Sequence, residues 1–194
     1  MTVKPLLLAG GRSTRMGCRK ELLCLTNNIP TYEHQLLRLH LACPHADAVF
    51  LSLPNPTALD QILANPRIEP LTDTALRLRR GSFSLEIRLL YDSTIEDQPQ
   101  EPQEIGPAAG LLAAHRHDPR ASWLVIACDY PFLSVSALSQ LQQQRLDPVT
   151  CFQNAEGIYE PLLGVWSPTA LALLERNVQN GMLGPKSVWN MSRL

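Results

Sequence analysis

Apolar runs of five or six residues recur at 3–8, 48–53, 87–91 and 123–127, and helix-patterned stretches separate them. No feature of the chain constrains its fold more. Strands that are apolar on both faces belong to a parallel sheet covered by helices on each side. The intervening segments carry matching signals. Residues 32–42 place leucines at 36, 37, 39 and 41, with Thr31 as the expected cap. A short helix is expected over 57–64. Pro107 suits the first turn of a helix opening GPAAGLLAAH. Ser134 or Ser136 should cap a helix reaching about Arg145, and Ser167 and Pro168 should start a last helix that Gly181 stops. Residues 149–153 and 159–165 read as a hairpin around 154–157. Residues 67–86 show no clean period and hold Arg77, Arg79 and Arg80. They read as a surface insertion or irregular crossover with a solvated basic face. The expected sheet is mostly parallel, with one antiparallel element.

In such sheets ligands bind beyond the carboxyl ends of the strands. Three features fall at that edge: the loop LAGGRSTRMGCRK from Leu8 to Lys20, Asp92 after the third run and Asp129 after the fourth. Gly10, Gly11 and Gly17 permit positive φ and close approach of a ligand. Successive backbone N–H groups in such a turn form an anion-binding concavity. Arg12, Arg15 and Lys20 can add charge-assisted hydrogen bonds to phosphate oxygens. The loop matches neither G-x-x-x-x-G-K-[ST] nor G-x-G-x-x-G. Taken alone it reads equally as a flexible turn with solvated arginines, and its placement after the first strand favours phosphate. Asp129 is either a turn former before Pro131 or a ligand for Mg²⁺ bridging phosphates. Asp92 is either a turn former or a ligand contact. Residues 106–110, GPAAG, either start a helix tightly or pack on a nucleoside. His115 and His117 read as surface residues favoured by the helix dipole, not as metal ligands.

Composition narrows the classes. The 194 residues suit one domain, and 45% are apolar, enough for a packed core. A formal net charge of −1 offers no global field for nucleic acid, so any anion site must be local. Five cysteines without a C-x-x-C pair argue against a disulfide framework and for a reducing compartment. No apolar stretch approaches the roughly 20 residues needed to span a bilayer. The expectation is a cytoplasmic, monomeric protein with no membrane or nucleic-acid partner.

Together these residues resemble nucleotidyltransferases that activate small molecules with an NTP, and most closely the molybdenum cofactor guanylyltransferases. The family's opening motif resembles L-A-G-G-x-S-x-R-M-G-x-x-K, and each fixed position is met between Leu8 and Lys20. A C-D-x-P-F-L segment is met from Cys128 to Leu133, a G-P-L-A-G-like segment as GPAAG, and a late E-P-L segment from Glu160 to Leu162. The resemblance implies an α/β fold, a Rossmann-like three-layer sandwich of the nucleotide-diphospho-sugar transferase type, with 1–194 as a single nucleotidyltransferase domain. It implies transfer of GMP from GTP to the phosphate of molybdopterin, with Mg²⁺ as cofactor and pyrophosphate as product. Cofactor-biosynthesis proteins are its implied partners.

The implied residue roles follow the motif positions. Leu8, Ala9, Gly10 and Gly11 line the nucleotide pocket through their backbone. Arg15 and Lys20 hold the triphosphate and stabilise charge on the attacked α-phosphate. Asp92 contacts the guanosine part, with Gly106 and Gly110 close by, and Asp129 binds Mg²⁺. Ser52 or Asn55 touches the nucleoside in a looser alignment. Arg12 and Arg19 fall at variable positions and are expected to face solvent. Two departures stand out. The wider superfamily's N-x-N-T-P-E-D-like segment is absent, since the sequence ends GPKSVWNMSRL, as in a fragment, a domain of a longer chain or a site that has lost a part. The acidic stretch between Asp92 and Gly106 is also long. Two other readings are a nucleotidyltransferase for another base or acceptor, such as CTP or a sugar phosphate, and an inactive nucleotide- or pterin-binding domain.

Overall fold

β1 (Val3–Leu8) has a strand on each side and a helical layer on each face, which is why five of its six residues are buried. The computed structural model describes residues 3–10, 19–24, 28–92 and 105–188. β1 pairs in parallel with β2 (Val49–Leu53) and β6 (Ser122–Ala127), and β2 pairs in parallel with β5 (Phe83–Tyr91). These four strands are the expected apolar runs. Side chains alternate across the sheet. Leu7 and Leu51 face one layer, packing with Tyr32, Leu36 and Leu39 of α1 (Thr31–Ala42), Ile62 of α2 (Asp60–Leu63), and Leu138 and Leu141 of α4 (Val135–Gln143). Leu6 and Phe50 face the other, with Leu111 and Ala114 of α3 (Pro107–His117) and Leu171 and Leu174 of α5 (Pro168–Gln179). Each large side chain buried this way contributes about 1.5–3 kcal/mol.

Among the described residues the sheet has eight strands, and antiparallel strands flank both edges of its parallel centre. On one side lie β8 (Tyr159–Trp166) and β7 (Val149–Gln153), the expected hairpin. On the other lie β3 (Ile68–Thr72) and β4 (Ala75–Arg80), which join β5 in an antiparallel meander. Residues 67–86 are therefore sheet, not an irregular crossover. Within β4 the period is two. Leu76 and Leu78 are buried, while Arg77 and Arg79 point outward on the half-exposed strand. Arg77 and Arg79 both pair with Glu69, and Arg80 approaches Glu33, so this basic face is ion-paired.

Local chemistry sets the helix starts. Ser134 and Ser167 cap α4 and α5, accepting from the N–H of Ala137 and Ala170, and Pro107 opens α3. Thr31 is not the cap of α1. Pro30 holds that place, and the Thr31 hydroxyl donates to the Leu23 carbonyl at 2.8 Å. His115 is also misplaced by dipole reasoning. It is buried on the inner side of α3, while exposed His117 meets Phe50 edge-on at 5.0 Å. No helix among the described residues is long and apolar enough to cross a membrane.

Candidate active site

The four parallel strands end level with one another. Leu8 stands opposite both Ser52 and Ala127, and Leu53 opposite Tyr91. Backbone hydrogen bonds carry the pairing past these ends. Ala9 donates to Ser52 at 2.9 Å, Asp92 to Leu53 at 2.8 Å, and Cys128 to Leu8 at 3.3 Å. The loop after β1 and the residues leading to Asp92 and Asp129 thus start from one rigid edge.

One side chain cluster forms at the ends of β1, β2 and β5. Ser52 donates its hydroxyl to Asp92 Oδ1 at 2.6 Å. A Cβ on Gly10 would lie 2.7 Å from Asp92 Oδ2, so only glycine brings the backbone this close to the carboxylate. A Cβ on Gly110 would lie 2.5 Å from Ser52 Oγ and 2.7 Å from Leu8 Cδ2. Its absence lets α3 settle onto Ser52 and Leu8. Gly106, with φ 54°, turns the chain into α3 and borders open space. Burial raises the Asp92 pKa, while the Ser52 hydrogen bond and the charge of Arg116 pull it back down.

A second cluster forms at the end of β6. Lys20 Nζ meets Asp129 Oδ1 at 2.9 Å, with both side chains about half exposed. Asp129 sits on a turn anchored from several sides. Gln35 of α1 donates to the Tyr130 carbonyl, and Arg38 to that of Pro131 at 2.6 Å. The Tyr130 hydroxyl donates to Glu160 Oε2 at 2.7 Å. Burial, then Glu160, raises the Tyr130 pKa, so the phenol stays protonated and keeps donating. The Glu160 of the E-P-L segment therefore holds the residue next to Asp129. Cys128 lies beside the site, but burial pushes its thiol pKa up, which disfavours a nucleophilic thiolate.

The sequence-selected residues Leu8, Ala9, Gly10, Asp92, Gly106 and Gly110 come together around β1 and α3, and Lys20 meets Asp129. Gly11 and Arg15, with Arg12 and Gly17, lie outside the described residues, as does the acidic stretch 93–104. Ser52 supports Asp92, whereas Asn55 is a cap, accepting from Ala58 N–H at 3.1 Å. Arg19 does not face solvent freely. It pairs with buried Glu21 and reaches the Ala58 carbonyl. Sequence reasoning passed over Glu21, Gln35 and Arg38. The i, i+3 spacing of Gln35 and Arg38 on α1 was the one available signal for that pair.

Among the described residues no three His, Cys, Asp or Glu side chains form a metal cage. A single carboxylate such as Asp129 is a donor of the kind Mg²⁺ takes, since that ion uses one or two carboxylates and completes its shell with water and phosphate oxygens. The half-exposed Asp129 carboxylate leaves room for such ligands.

The family described as the MobA-like NTP transferase domain matches residues 5–190. The chain is 28% identical over 193 residues to a molybdenum cofactor biosynthesis bifunctional protein of Synechocystis, a match spanning 96% of this chain and 45% of that protein. It is 31% identical over 176 residues to a probable molybdenum cofactor guanylyltransferase of Synechococcus elongatus, covering 87% of this chain and 73% of that protein. The crystal structure of molybdopterin-guanine dinucleotide biosynthesis protein A from Archaeoglobus fulgidus superposes with a TM-score of 0.63 at 19% identity. That superposition covers 97% of this chain and 79% of the other, and it establishes the shared fold.

Proposed function

The chain belongs to the MobA-like NTP transferase domain family, and from that premise we propose that it transfers GMP from GTP to the phosphate of a molybdopterin-type acceptor, releasing pyrophosphate in a Mg²⁺-dependent reaction. One observation carries this reading. The Asp92–Ser52–Gly10 cluster and the Lys20–Asp129 pair occupy the same carboxyl edge of the sheet. The ends of β5 and β6 lie three strand spacings apart, roughly 14 Å. An extended nucleoside triphosphate can bridge that span.

The backbone of Leu8, Ala9, Gly10 and Gly11 receives the nucleotide in this reading, with Gly106, the N-cap of α3, close by and Gly110 letting α3 pack on Ser52 and Leu8 beneath it. The Asp92 carboxylate accepts from the N1–H and amino groups of guanine. Cytosine offers only one donor group on that edge, so the carboxylate favours guanine. Lys20 and Arg15 hold the triphosphate. An oxygen of the acceptor phosphate attacks the α-phosphorus, the bond to the bridging oxygen breaks, and its electron pair leaves on pyrophosphate. Lys20 stabilises the negative charge that grows on the phosphoryl oxygens. Asp129 would hold Mg²⁺, which supplies charge neutralisation on the triphosphate when bound. No protein nucleophile is needed, in keeping with the protonated, buried thiol of Cys128.

Pyrophosphate release is the direct test, with GTP, CTP or ATP supplied alongside Mg²⁺ and molybdopterin. GTP should support turnover, and the other two should not. Release with CTP but not GTP would overturn the guanylyl assignment. Nucleotide binding with no pyrophosphate release under any condition would reduce the chain to a binding domain.

A further inference from the structure

Lys20 is flanked by two residues, Arg19 and Glu21, that grip the protein. Arg19 Nε donates to Glu21 Oε1 at 2.5 Å, and its Nη2 is equally near that oxygen. Nη1 donates to the Ala58 carbonyl at 2.9 Å and to Gln61 Oε1 at 3.2 Å. Glu21 is 2% exposed, so its carboxylate depends on this guanidinium. The segment it reaches is the turn Pro56–Leu59 and the start of α2, which follow β2. Residues 20–22 form a single 3-10 turn, closed by Leu22 N–H on Arg19 and Leu23 N–H on Lys20. Beyond it, the Leu23 carbonyl accepts both the N–H and the hydroxyl of Thr31 at 2.8 Å. The Lys20 turn is thus fastened at one end to the segment after β2 and at the other to α1.

We propose that Arg19 is the positioning residue for Lys20, clamping the end of the β1 loop through Glu21, Ala58 and Gln61. The inference rests on the nucleotidyltransferase reading for the task it gives Lys20. In this role Arg19 acts on the protein rather than on a phosphate, with Nε on Glu21 and Nη1 on the Ala58 carbonyl and Gln61. A lysine at 19 keeps the charge beside Glu21 but lacks the planar fork that reaches three partners at once.

A double-mutant cycle separates positioning from mere support of the fold. kcat/KM for pyrophosphate release from Mg–GTP and molybdopterin is measured for wild type, Arg19→Ala, Lys20→Ala and the double variant. Binding of Mg–GTP, Mg–CTP and Mg–ATP is followed by calorimetry. Arg19→Ala should lower kcat/KM by about 10–100-fold, the cost of misplacing a catalytic group by about 1 Å. Once Lys20 is Ala, removing Arg19 as well should cost under about threefold, because its effect runs through the missing ammonium. Losses that multiply, or an Arg19→Ala enzyme equal to wild type, overturn the proposal. If Arg19→Ala does not fold, Arg19→Lys preserves a cation for Glu21. It should fold, lose about tenfold and show the same non-additivity with Lys20→Ala. Wild type that binds all three triphosphates alike, with the same non-additivity in binding, sustains the clamp and sinks the guanylyl reading. Wild type that binds none sinks both.

Discussion

At Asp92 a carboxylate is folded into a place where it would rather not be charged. Burial is the main cause of its raised pKa, above the ordinary 3.8, and the Ser52 hydroxyl and Arg116 only partly offset it. The folded state therefore keeps the proton to higher pH than the unfolded chain does. As pH rises from the ordinary aspartate range through the raised value, the folded state binds more protons, and stability falls. The penalty persists at every pH above the ordinary range, because the unfolded chain is ionised there and the folded state must either keep the proton or bury the charge. Asp92→Asn keeps an acceptor for Ser52 and removes the charge. Its melting temperature should exceed that of wild type at neutral pH, and the gap should narrow as the buffer becomes mildly acidic. The same change should weaken GTP binding. A variant no more stable than wild type at neutral pH would show that desolvation at this site is fully compensated. Residue-scale chemistry was only partly legible in the sequence. Asp92 and Asp129 stood out because they follow apolar strands. Arg19 did not, since its partner Glu21 is buried only by tertiary packing, and a charged loop residue looks solvated until that packing is known.

At the scale of elements, legibility followed burial. The parallel strands β1, β2 and β6 are covered on both faces, so each is a largely apolar run, broken only by Lys4, Ser52 and Ser122. β3 is mostly exposed and β4 is studded with arginines, and the two-residue period of β4 is too short to stand out from a loop. β7 is an edge strand, yet it is legible in the sequence because its turn residues are explicit. Asn154 Oδ1 accepts from the N–H groups of Glu156 and Ile158, fixing the hairpin. What holds β7 to β8 depends on one glycine. A Cβ on Gly164 would lie 2.5 Å from the Thr150 carbonyl oxygen and 2.8 Å from Cys151 Cβ. The first of these is backbone, so the strand itself must move. Gly164→Ala should cost about 1–3 kcal/mol, as overpacking in a tight contact does. Urea unfolding would give the loss directly. Hydrogen exchange should rise first in β7, which among the described residues pairs only with β8, while β1 amides stay protected. Unchanged urea stability would mean that the two strands can separate without cost.

At the scale of the molecule, the net charge of −1 supplies no long-range pull on an anionic substrate. Nucleotide affinity must come from short-range contacts at the sheet edge, and its magnitude can be read from global stability. A ligand that binds only the folded state stabilises it by about 2.7 kcal/mol at a hundred times its Kd. For a chain of this size each kcal/mol raises Tm by about 2–4 °C, so Mg–GTP should raise Tm by roughly 5–11 °C. Mg–CTP and Mg–ATP should give smaller shifts, because the base contacts at Asp92 are reduced while the triphosphate contacts remain. Asp129→Ala separates the metal's share. The Lys20–Asp129 pair is half exposed, and such pairs contribute about 0–1 kcal/mol, so the ligand-free Tm should barely move. In that variant the extra shift that Mg²⁺ adds to GTP should disappear, and turnover with it. Mg²⁺-dependent stabilisation that survives Asp129→Ala would remove the metal role from this residue. Equal shifts with all three nucleotides would remove base selection from Asp92. No shift with any of them would leave the converging edge of the sheet without its triphosphate, and the transfer chemistry would lose its foundation.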